Sequence, residues 1–137
     1  MRRERPQDWP EKLAEFISSR SHSAFDWGVN DCALFAADGV KAITGLDLAA
    51  ELRSTYSTAR EAFVIIQNHQ GLEGLATEAL GEPMLHKLMM QRGDVALVNI
   101  NGRESLMICT GFDLVGPAVE SGIVPIPMDQ ALKAWEV

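Results

Sequence analysis

Thiols and imidazoles, the side chains best suited to nucleophilic attack and proton transfer near neutral pH, are few in this 137-residue chain: two cysteines, Cys32 and Cys109, and three histidines, His22, His69 and His86. Cys32 follows Asn30-Asp31 and precedes the apolar run Ala33-Leu34-Phe35-Ala36-Ala37, so the sequence predicts that it opens a helix capped by Asn30 or Asp31. Unpaired backbone N–H groups and the positive end of the helix dipole at that point favour the thiolate, the form that attacks carbonyl carbon. Asp31 opposes this by adding negative charge, and a small apolar cysteine at a helix start is also an ordinary packing residue. Nucleophilic catalysis by Cys32 would need a base held beside it.

The candidate bases are scattered. His22, between two serines, reads as a solvated loop residue, and His69 in Gln67-Asn68-His69-Gln70-Gly71 as an exposed residue at a helix C-terminus, where the dipole favours it. His86, just ahead of an extended stretch, is the histidine with a route to Cys32, although packing or solvent exposure is the simpler reading. Cys109 lies on a predicted strand facing the cysteine helix; it is either a disulfide partner of Cys32 or, more simply, a buried free thiol. Two cysteines are too few for a disulfide framework or a cysteine-rich zinc site, and no glycine-rich phosphate loop occurs, so no metal or cofactor is implied. Met84, Met89, Met90 and Met107 read as core filling rather than a soft-metal site, and Arg92-Gly93-Asp94 marks a strand entrance rather than an adhesion motif.

The elements that must position these groups follow from spacing. Asp8, Pro10 and Glu11 predict a capped helix start, with Trp9, Leu13, Phe16 and Ile17 at helical spacing and a polar stretch from Ser18 to Ser23 ending it. The cysteine helix runs to about Thr44, stops at Gly45, and is apolar around most of its circumference, which makes it the buried central helix. Ser57 is expected to cap a third helix to about Asn68 with Gly71 as its stop, and a fourth spans Glu73 to Leu80, ending at Gly81. After Pro83 the pattern turns extended: strands over Asp94–Ile100 and Glu104–Thr110 about an Asn101-Gly102 turn, then Phe112–Val115, Ala118–Glu120 and Ile123–Ile126. Asp129 is expected to cap a last helical turn, and Trp135 to dock the terminus on the sheet. Helices first and strands second is the pattern of an α+β fold, N-terminal helices on a small C-terminal antiparallel sheet, within one domain over residues 1–137.

Composition narrows the partners. Hydrophobic residues at 47% and charged residues at 23% suit a folded chain, and a formal charge of -7 opposes binding to nucleic acid. The one basic cluster, Arg2, Arg3 and Arg5, is expected to be a solvated tail, with contact to nucleic acid or an acidic neighbour as the alternative. No apolar run approaches the roughly 18 residues a membrane span needs, and the polar N-terminus lacks the apolar region of an export signal.

The run Phe25-Asp26-Trp27-Gly28-Val29-Asn30-Asp31-Cys32-Ala33 resembles the signature of NlpC/P60 cysteine peptidases of the papain-like superfamily, and Arg92-Gly93-Asp94-Val95-Ala96-Leu97-Val98 looks like their Gly-Asp strand. A closer likeness, over nearly the whole chain, is to a small phage family in that superfamily encoded among tail genes. It rests on Trp27-Gly28, Asp31-Cys32-Ala33, Thr44-Gly45, Arg53 with Tyr56, Gly93-Asp94, Val124-Pro125 and Ala134-Trp135-Glu136-Val137. The resemblance implies a papain-like NlpC/P60 fold with Cys32 at the nucleophile position, and a virion protein of the phage tail tip, made in the host cytoplasm, whose partners are other tail or baseplate proteins.

In active members of that superfamily the strand after the Gly-Asp strand begins with a histidine; here Ser105 of Ser105-Leu106-Met107-Ile108-Cys109 falls at that place. The residue that orients the imidazole would fall near Val115-Gly116-Pro117, where no side chain can do so. The expectation is therefore a structural tail-tip subunit on a degenerate cysteine-peptidase fold. The alternative is an active peptidoglycan-cleaving peptidase that takes its base from His86 or a partner subunit, and a third reading keeps the cleft for binding without turnover.

Overall fold

A computed structural model describes residues 2–137. Four helices come first: α1 (Trp9–Ser19), α2 (Cys32–Thr44), α3 (Ala59–Asn68) and α4 (Gly71–Leu80). Five strands follow: β1 (Val95–Ile100), β2 (Arg103–Cys109), β3 (Asp113–Pro117), β4 (Ile123–Pro127) and β5 (Lys133–Trp135), with short 3-10 turns at Lys87–Met89 and Met128–Gln130. The strands form one sheet in the order β4-β3-β2-β1-β5, antiparallel at every pairing. The α+β reading therefore holds.

Local chemistry explains most element ends. Asp31 caps α2 through its side chain and Gly45 closes it in the left-handed region, as the sequence predicts. At α3 the cap is Thr58, one residue later than the expected Ser57, and it forms a capping box: Thr58 Oγ1 accepts from Glu61 N at 3.1 Å while Glu61 Oε1 accepts from Ser57 N at 3.1 Å. The box expected at α1 is absent, since the Asp8 side chain caps nothing. Gly71 does not stop α3; it opens α4 behind Gln70, which turns the chain at φ 64°.

The sheet also departs from expectation at two places. Residues 118–120 form no strand but part of a turn in which Ala118 N donates to Gly122 O at 3.0 Å. Trp135, expected to dock on the sheet, is part of it: β5 pairs with β1 through Val95↔Trp135, Ala96↔Ala134 and Leu97↔Lys133. Its ring is fully buried and Nε1 donates to Thr77 Oγ1 of α4. The prolines of β4 are tolerated because β4 is an edge strand.

Each face of the sheet carries a core. Against α1, α2 and α4 lie Val95, Leu97, Leu106, Ile108, Val115 and Trp135, with Phe35, Val40 and Ile43 of α2 at the centre. A Cβ at Gly39 would sit 2.0 Å from Ile108 Cδ1, so any larger residue there would have to displace the Ile108 side chain where α2 meets β2. The other face is built from Ala96, Val98, Met107, Cys109, Leu114 and Ala134 under Met84, Met90 and Met128. Three of the four singled-out methionines thus fill core space, whereas Met89 is exposed.

The N-terminal arginines are not a solvated tail. Arg2 forks onto the fully buried Asp94 carboxylate at 2.5 and 2.9 Å, Arg5 donates to Val137 O at 2.7 Å, and Arg3 reaches the Glu136, Ala79 and Leu80 carbonyls. Arg5 and Arg92 both lie over the Trp9 ring, at 4.4 and 5.2 Å. Asp94 also accepts from Gln91 N and Val137 N, so the Arg92-Gly93-Asp94 tripeptide is tied into the fold. Charge pairing across more than ninety residues overrides the default of a frayed terminus.

Candidate functional site

Cys32 is the first residue of α2, and what fixes it is Asp31. That carboxylate is 2% exposed; Oδ1 accepts from Leu34 N at 2.9 Å, and Oδ2 from Gly28 N at 3.0 Å and Tyr56 Oη at 2.5 Å. One acid thus caps the helix, closes the Trp27-Gly28 turn and holds the loop before α3. Gly28 adopts φ +83°, and a Cβ there would lie 2.1 Å from Tyr56 O, which explains the glycine. Burial and the Asp31 contact push the Tyr56 hydroxyl far above its ordinary range, so it stays a donor.

A second polar network braces the outer side of α2. Asp38 accepts from Arg20 at 2.5 Å and from Arg53 at 2.6 Å; Arg20 also donates to Asn30 Oδ1, and Arg53 to Asp47. Arg53 and Tyr56 thereby act as staples for the loops on either side of the cysteine helix.

Cys32 faces β2. Hydrogen bonding from the Leu106 backbone and the Ser105 side chain, with the positive charge of Arg103, favours the thiolate, and the negative charge of Asp31 opposes it. The residue keeps partial exposure, yet the sulfur is so closely surrounded that desolvation outweighs both donors and the thiol pKa is raised. Burial and the Asp31 charge thus act against the thiolate that the helix dipole favours.

No histidine is among the groups acting on the sulfur. His22 is exposed in its loop, and His69 ends α3 and pairs with Glu78 of α4. His86 is exposed on a segment that runs beside β5, where Met84 N donates to Ala134 O and Lys87 Nζ to Ala131 O; β1 stands between it and β2. Within this chain, then, His86 does not serve Cys32. Cys109 is a free thiol buried in the core away from α2, its pKa raised by burial, and the Cys32–Cys109 disulfide does not form.

The sulfur opens onto a groove of about 280 Å³ lined by Phe25, Ile100, Asn101, Arg103, Ser105, Pro117, Val119 and Val124. Phe25 and Trp27 meet edge to face at 4.8 Å, and the Arg103 guanidinium lies across both rings. Sequence reasoning missed Arg103; a cation next to a hairpin turn looks like any surface arginine until the aromatic pair beneath it is placed. Among the described residues no cluster of His, Cys, Asp or Glu is arranged to hold a metal ion, and no helix is long and apolar enough to cross a membrane.

Fold and site together define an α+β domain with a cysteine at the start of its central helix and a serine, rather than a histidine, beside it in the groove. The family model for a domain of unknown function, DUF6950, matches residues 4–137, and the chain belongs to that family. No curated protein matches the sequence.

Proposed function

We propose that this chain is a structural subunit of a bacteriophage tail tip or baseplate, built on a papain-like NlpC/P60 fold whose hydrolytic site has lost its base. Support for the scaffold comes from the resemblance around Asp31-Cys32 and Gly93-Asp94, together with a cysteine helix packed on an antiparallel sheet. The loss of chemistry rests on one observation: the β2 residue beside Cys32 in the groove is Ser105, and no histidine lines that groove. A serine hydroxyl has no basic nitrogen to take a thiol proton near neutral pH, and losing a positioned general base costs about 10²–10⁴ in rate.

The test has two arms. Purified virions carrying the gene should contain the protein in fixed stoichiometry, with density for its fold at the tail tip by electron cryomicroscopy; its absence from virions would remove the structural role. In the second arm the purified chain should release nothing from peptidoglycan in a zymogram. Release abolished by Cys32→Ala would establish the cell-wall peptidase instead.

A further inference from the structure

Arg103, like Arg60 and Arg92, has no ion-pair partner among the described residues, whereas Arg2, Arg5, Arg20 and Arg53 face aspartates; what sets Arg103 apart is its place at the groove beside Cys32. Its Cζ lies 5.1 Å from the Trp27 ring centroid and 5.7 Å from that of Phe25. The two rings flank the guanidinium at the groove rim, and none of its N–H groups has a hydrogen-bond partner among the described residues, which leaves them available to a carboxylate.

The backbone beside it is open too. β2 pairs with β1 along its whole length, from Arg103 to Ile108, but with β3 only at Ile108↔Val115 and Cys109↔Leu114. Alternate residues of a strand turn both N–H and C=O to the same edge. Because Cys109 N donates to Asp94 O on the β1 side, the alternate residues Ile108, Leu106 and Glu104 turn their N–H and C=O to the β3 side, where no strand pairs with residues 103–107. The facing wall is apolar, formed by Pro117, Val119 and Val124, and Val119 is 70% exposed.

We propose that the groove docks an extended acidic segment of a partner protein, which lies along the open half of β2 and seats one Asp or Glu carboxylate on Arg103. Unpaired strand edge supplies sequence-independent hydrogen bonds, and the fixed guanidinium supplies selection for the acid. A phosphate backbone fits poorly, since one cation between apolar walls in a chain of charge -7 cannot hold a polyanion. The inference rests on the noncatalytic reading: a thiol with Ser105, rather than a histidine, beside it leaves a bound segment uncut.

The test screens the intact chain against an array of end-capped random heptapeptides and titrates the tightest binders by calorimetry. Asp and Glu should be enriched at one position, and binding should weaken about tenfold when that acid becomes its amide or when Arg103 becomes Gln. Arg103→Glu should move the preference to Lys. Arg103 is exposed, so both variants are expected to fold, and an unchanged thermal midpoint verifies it. No capture, equal capture of acidic and neutral peptides, or an acidic preference kept in R103Q overturns the proposal. Mass spectrometry of the same peptides after incubation separates the two readings: cleavage defeats the noncatalytic assignment while leaving docking intact, and uncut peptides without acidic preference do the reverse.

Discussion

Ser105 of β2 and Cys32 at the start of α2 line the same groove, and hydrogen bonding from Ser105 is among the influences that favour the thiolate, outweighed by burial. The pair joins the helical and extended halves of the chain, and it decides the chemistry of the site. A hydroxyl can stabilise sulfur charge by donating, but it cannot take the proton away.

The first consequence is slow alkylation. With the thiol pKa raised by burial, the thiolate fraction at pH 7 falls below that of a free cysteine, whose pKa is about 8.5. Iodoacetamide should label Cys32 at least about tenfold more slowly than in the unfolded chain. Fast labelling of native protein at pH 7 would show an activated thiol.

Alkaline pH should destabilise the fold through the same group. In the unfolded chain Cys32 ionises at its ordinary pKa, whereas the folded state keeps the proton to higher pH, so stability is full below the unfolded pKa and declines as pH rises through it. Cys109 and Tyr56, also raised, act in the same direction. Urea midpoints between pH 7 and 10 should fall, and less steeply in Cys32→Ala.

Substituting Ser105→His should place an imidazole against the sulfur. Alkylation of Cys32 at pH 7 should then rise about tenfold or more, with a new inflection near the histidine pKa. Turnover of cell wall should still be lacking, because Val115-Gly116-Pro117 offers no side chain to orient the ring. An unchanged labelling rate would mean that position 105 does not govern the thiol.

How far the sequence reveals this arrangement depends on range. The limits of α2 and the Asn101-Gly102 turn are written locally, in Asp31, Gly45 and a dipeptide that tolerates left-handed backbone, and they agree with the structure. What stays hidden is nonlocal. Three-residue β5 carries no periodic signal and exists only through its pairing with β1, and the arginine cluster reads as a tail until Asp94 is placed beside Arg2. The site divides in the same way: Cys32 is legible at a helix start, the Ser105 position follows only from the family resemblance, and Arg103 needs Phe25 and Trp27 assembled beneath it.

The Asp94 cluster makes a further prediction. Its carboxylate is fully buried and satisfied by Arg2, Gln91 N and Val137 N, so Asp94→Ala strips partners from a part-buried guanidinium and from two backbone donors. Breaking such a pair from one side costs about 3–5 kcal/mol. Arg2→Ala should cost less, because Asp94 keeps both backbone donors and Arg5 Nη2 lies 3.8 Å away. Equal losses in urea unfolding would indicate that Arg2, rather than the backbone, carries the site.

The last prediction concerns Asp31 as the single anchor of the cysteine turn. Tyr56→Phe removes one hydrogen bond to a buried charge and should cost about 1.5–3 kcal/mol, while Asp31→Ala also loses the helix cap and the Gly28 contact and should cost more. If both residues act through their mutual contact, the double variant should be only slightly worse than Asp31→Ala alone, a coupling that a double-mutant cycle in urea reads directly. Additive losses would mean that Tyr56 holds its loop by packing, among Leu34, Ala49 and Ala62, and that Asp31 positions Cys32 through backbone contacts only.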